Sequence, residues 1–113
     1  MKRAPLAATA FVVMLSSTGV AAAGDPAAGQ KKAQVCASCH GPSGVSPTPN
    51  FPILAGQYQD YLVQALQQYQ SGERDNAVMK GFAAGLNRQD MLDLAAWFAS
   101  QGGLVAPRIK TMK

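Results

Sequence analysis

The clearest pattern in the chain is helical. Tyr58, Tyr61, Leu62, Ala65, Leu66 and Tyr69 fall at offsets 0, 3, 4, 7, 8 and 11, one apolar face of a helix. Glutamines at 57, 59, 64, 67, 68 and 70 take most of the other positions, and Ser71-Gly72 supplies a stop. Met91, Leu94, Ala95 and Phe98 form a second stripe, with Trp97 beside it, predicting a helix from about Arg88 to Gln101. Asn87 is placed to cap it, Asp90 stands three residues on, and Gly102-Gly103 follow its end. An earlier helix opens at Asp25-Pro26, a cap followed by proline at the first helical position, and continues through "AAGQKKAQVCAS". None of the strand signals is convincing, so the fold class is all-α: three main helices and a short one around Val78 to Ala84.

The stretch "GPSGVSPTPNFPILAG" holds four prolines and must be irregular. A long structureless loop in so small a domain predicts that it wraps something.

The N-terminus changes how composition is read. Lys2 and Arg3 precede the apolar run Leu6 to Leu15, and Ala21-Ala22-Ala23 ends a stretch of small residues. Residues 1–23 therefore read as a cleaved secretory signal peptide. A membrane anchor needs roughly 20 apolar residues, and Ser16, Ser17 and Thr18 interrupt the run too early. Of 113 residues, 90 remain, with a domain expected over 24–105 and a tail over 106–113. Loss of Lys2 and Arg3 lowers the formal charge from +4 to +2, with eight basic residues against six acidic ones. No basic run remains, which leaves nucleic-acid binding without support.

The candidate chemistry sits in "QVCASCHGPSG". Cys36 and Cys39 are the chain's two cysteines and His40 its one histidine. A disulfide between residues three apart closes a very small loop and stabilises little. A thioredoxin-like pair belongs with a βαβ pattern, which is missing. A zinc site lacks further ligands, and adjacent side chains on a helix project about 100° apart. The remaining chemistry is C-x-x-C-H attachment of one covalent c-type haem. Two thiols one helical turn apart suit two vinyl groups, and the next imidazole then faces the iron. Export fits, because such haem is attached outside the cytoplasm.

With His40 as the proximal iron ligand, no second histidine exists for the distal side. Met91 lies in the apolar stripe of the last helix and reads as core, and Met112 stands next to the C-terminus. Met79 follows the polar turn "SGERDNA" and is the distal candidate.

With these residues in place the chain resembles a class I c-type cytochrome over nearly all of residues 24–105. "CASCHG" resembles the attachment site, and "NFPILAGQ" the family's Pro-x-Leu-x-Gly segment. That match implies that the Pro52 carbonyl accepts a hydrogen bond from His40, and that Leu54 packs on the haem. "YLVQALQQYQSGER", "VMKGFAAGL" and "QDMLDLAAWFASQ" are similar to one half of the periplasmic dihaem cytochromes, a pattern in which Met79 matches the axial methionine. There the last helix crosses the first near Gly29. A single motif departs from the dihaem pattern.

The resemblance implies a periplasmic monohaem electron carrier and no turnover of a substrate of its own. Its partners would be redox proteins such as a membrane quinol-oxidising complex, a terminal oxidase or a periplasmic reductase. The mature chain would need no membrane span. Two other readings stay open. One is a sensor or peroxidase-like enzyme with an open sixth site, drawing on Arg74, Asn76 and Asn87 as distal polar groups. The other is a haem subunit of a larger oxidoreductase.

Overall fold

The computed structural model describes residues 23–102, which are helices and loops without a strand among them. The expected leader, the 106–113 tail and Met112 lie outside the described residues.

Helix α1 spans Pro26–Lys32, and the Asp25 carboxylate caps it by accepting from the Ala27 amide at 2.9 Å. The helix was expected to run unbroken into the cysteine cluster. It is instead stepped: a 3₁₀ turn covers Ala33–Val35, and α2 then covers Ala37–His40. The Cys36 amide donates three residues back to Ala33 at 2.9 Å, which tightens the chain just before the first cysteine.

Helix α3 spans Gln59–Ser71 and ends at Gly72, whose φ of 85° closes the last turn. Leu62 and Ala65 are buried, as the apolar face predicts. Tyr58 is not part of that face. As the extended residue capping the helix it stands 83% exposed, while Val63 joins the core in its place.

Helix α4 spans Ala77–Ala83, with the Asn76 side chain accepting from the Met79 amide at 3.0 Å. Helix α5 spans Arg88–Ala99, ending two residues short of the expected limit. Its start is a reciprocal cap. Asn87 Oδ1 accepts from the Asp90 amide at 2.8 Å, and Asp90 Oδ2 from the Asn87 amide at 3.0 Å.

Helix α5 is the centre of the core. Met91, Leu94, Ala95 and Phe98 pack with Ala33, Leu62 and Val63. Against its other side lies α1, and Gly29 is the reason they can approach. A Cβ there would sit 1.9 Å from the Asp93 carbonyl oxygen and 2.9 Å from Trp97 Cβ. Asp93 itself is buried at this crossing. It accepts from the Asp25 amide at 2.8 Å, Lys32 Nζ at 2.6 Å and Gln89 Nε2 at 2.8 Å. The Asp25 amide first, and the Lys32 ammonium next, hold its carboxyl at about 2, below the ordinary 3.8. No described helix is long and apolar enough to cross a membrane.

Candidate functional site

The loop over residues 41–56 is folded onto itself and onto α5. Both the Leu54 and Ala55 amides donate to the Gly44 carbonyl, at 2.8 and 3.1 Å, and the Gly56 amide donates to the Phe98 carbonyl at 2.9 Å. Gly44 has φ of +84°, and a side chain there would meet Phe98 Cδ1 at 2.7 Å. These bonds fix Pro52, and with it the histidine opposite. His40 Nδ1 lies 2.8 Å from the Pro52 carbonyl oxygen. A carbonyl only accepts, so Nδ1 carries a proton and donates, which makes Nε2 the nitrogen of this ring able to act as a ligand. The imidazole is buried, with the Phe51 ring edge-on at 6.4 Å.

His40 faces a cavity of about 350 Å³ between the loop, α3 and α4. Cys36, Cys39, Pro52, Leu54 and Met79 also line it, so every residue singled out as binding from the sequence reaches one space. Gln70 braces the far wall, donating from Nε2 to the carbonyls of Ala83 at 3.0 Å and Leu86 at 2.8 Å. That ties α3 to the end of α4 and so positions Met79. The sequence gives no sign of this, because Gln70 reads as one more polar surface residue.

Of the two rival methionines, Met91 is not among the residues that line the cavity. Met91 is 2% exposed within the core, as its place in the stripe predicts, and Met112 lies outside the described residues. Of the polar groups considered for an open distal site, Arg74 and Asn76 line the cavity, whereas Asn87 is spent capping α5. Asn76 is itself engaged in capping α4.

The cavity wall fits a haem. Val35, Phe51, Ile53, Tyr61, Val78 and Phe82 are large apolar residues with more than a third of their surface exposed, and all six line this one space. Surface of that kind marks a binding site. The other chemistries considered for the cluster find no such support. Cys36 and Cys39 are not joined to each other. Burial, with Cys39 adjacent, pushes the Cys36 thiol up, the reverse of what a redox-active thiolate needs. No group of three or more histidine, cysteine or acidic side chains is arranged to hold a metal ion among the described residues.

Comparison with known proteins bears on the family and the fold of the chain. Residues 26–102 match the family model described as cytochrome c. The chain is 50% identical over 92 residues to cytochrome c4 of Pseudomonas aeruginosa, covering 80% of this chain and 46% of that one. It is 40% identical over 82 residues to cytochrome c-554(548) of Halomonas halodenitrificans, covering 70% of this chain and 99% of that one. The crystal structure of reduced recombinant cytochrome c4 from Pseudomonas stutzeri superposes with a TM-score of 0.69 at 46% identity, covering 74% of this chain and 48% of that one. The chain thus spans about half the length of the cytochrome c4 proteins it matches.

Proposed function

The chain belongs to the cytochrome c family, and from that premise we propose that it is an exported one-electron carrier whose single covalent haem c is bound by His40 and Met79. One observation carries the proposal: both axial candidates and both cysteines line the same apolar cavity. The bound haem supplies an Fe(III)/Fe(II) couple, and everything else falls to the chain's own residues.

Cys36 and Cys39 tether the cofactor as thioethers. His40 presents Nε2 to the iron, with its orientation and donor strength set by the bond from Nδ1 to the Pro52 carbonyl. Leu54 packs on the cofactor from the same loop. Met79 supplies a soft thioether from the third residue of a capped helix, and His/Met ligation raises the potential. The apolar wall acts in the same direction by disfavouring the extra charge of the ferric state. Hydrogen bonds fix both His40 and the helix that carries Met79, so these residues would hold the cofactor with little rearrangement between its oxidation states.

Its partners in this reading are redox proteins outside the cytoplasm, such as a quinol-oxidising complex, a terminal oxidase or a periplasmic reductase. The same residues would serve a haem module of a larger oxidoreductase, and co-purification with other subunits distinguishes that arrangement.

The test is an optical spectrum of the protein exported in a host that attaches c-type haem. Sharp low-spin bands on reduction are expected, with a weak far-red band in the ferric protein that disappears when it is reduced. A high-spin ferrous spectrum that shifts with carbon monoxide would overturn the assignment of Met79, and a haem-free product would overturn the whole reading.

A further inference from the structure

Gly29 and Gly44 are demanded by what surrounds them, and Gly72 by its φ of 85°. Gly81 and Gly85 answer to neither reason. Neither has a positive φ, and a Cβ built on either meets nothing within 4 Å. Neither lines the cavity, so the cofactor does not claim that space. Yet Gly81 is interior to α4, where glycine weakens a helix relative to alanine through the backbone freedom lost on folding. Both follow Met79 closely, by two and six residues.

Little else holds α4. It is 7 residues long, with Ala83 its one buried residue, whereas an isolated helix needs about 12 residues to be even marginal in water. Val78 and Phe82 line the cavity and are 62% and 48% exposed. Its fixed points are the Asn76 cap at one end and the Gln70 bonds to the Ala83 and Leu86 carbonyls at the other. The opposite wall is built differently. His40 is set by Pro52, in a loop bonded to itself and to Phe98, and none of those bonds involves α4.

We propose that α4 is a gate on the distal side of the cavity. Gly81 and Gly85 keep it marginally stable, so that it opens as a unit in a minor population, withdraws Met79 and admits a small uncharged ligand opposite His40. This rests on the haem reading above and adds an equilibrium to it. In the exchange the bond from the Met79 sulfur to iron breaks and one from the entering ligand forms, and no electron or proton changes hands. Opening also releases the Asn76 side chain from the Met79 amide, which frees a polar group of the cavity wall.

The experiment is imidazole titration of the ferric holoprotein, followed by loss of the far-red band, with native-state amide exchange on the same proteins. The variants are G81A, G81A/G85A and A77G, the last at the exposed first position of α4. The apparent dissociation constant is the intrinsic one divided by the open fraction. G81A should raise it about fivefold and slow exchange on α4 by the same factor, with α5 unchanged. G81A/G85A should raise it further, and A77G should lower it. In M79A the sixth site is open from the start, so adding G81A should leave imidazole affinity unmoved. Equal constants in the parent, G81A and A77G would overturn the proposal. So would slower α4 exchange that imidazole affinity does not follow. Should G81A not accumulate, A77G alone decides. A parent without the far-red band would overturn the assignment of Met79, whereas the band with unmoved affinities overturns the gate alone.

Discussion

On one side of α5 the molecule is closed, and on the other it is open. At the α1–α5 crossing a glycine lets backbone meet backbone, and a buried carboxylate takes three donors from both ends of the chain. Across α5, the same helix shares a wall with α3, α4 and the 41–56 loop around a cavity whose apolar lining is exposed. The closed side satisfies its buried carboxylate with protein atoms and leaves Trp97 Nε1 as its one buried side-chain group without a partner among the described residues. The open side is shaped by protein bonds but needs a large apolar guest to fill it. Folding and cofactor attachment are therefore linked unequally across the molecule.

The largest effect should come from removing the guest. Replacing both Cys36 and Cys39 by Ala prevents covalent attachment, and most of the helical circular dichroism should vanish. Any slow amide exchange that survives should map to α1 and α5, and equal protection on α3 and α4 would break the contrast.

Attacking the closed side comes next. Gly29→Ala places a methyl where the Asp93 carbonyl already sits, and should cost about 3 kcal/mol in denaturant unfolding of the holoprotein while leaving its spectrum unchanged.

Asp93→Asn removes a buried acceptor of charge-assisted bonds, for about 2 kcal/mol near neutral pH. Its sign with pH is definite. The folded carboxyl sits at about 2 against an ordinary 3.8, so its contribution is complete above pH 4 and is lost as pH falls toward 2. The acid limb of an unfolding series should flatten in the variant.

The smallest structural effect belongs to Met79→Ala. The variant should keep its haem, bind carbon monoxide when reduced, and change the protection of α1 and α5 by less than about 0.5 kcal/mol. Failure to bind carbon monoxide would name another ligand.

Much of this architecture is legible along the chain because local rules govern it. Asp25 and Asn87 announce helix starts, the α5 stripe announces its buried face, and the C-x-x-C-H run announces attachment chemistry. What stays hidden depends on partners far away in sequence. Asp93 reads as a surface charge until the Asp25 amide and Lys32 arrive from more than 60 residues away. Tyr58 fits the helical period yet lies outside the helix, because the period says nothing about where the cap falls. Val63 is off the predicted face because α3 has two neighbours, the core and the cavity, and one apolar stripe cannot describe both. Arg74 reads from the sequence as one polar side chain of a turn, and its stacking on rings 13 and 5 positions earlier appears only in the fold.

The bond from the Asp25 amide to Asp93 also has a mechanical meaning. It joins the cap of α1 to α5, so tension applied across the described residues from their two ends is met at the α1–α5 crossing. The loops that hold the cofactor lie in between and bear none of that load until the crossing gives way. A redox module anchored through either end could thus be tugged by its surroundings while its iron ligands stay in register.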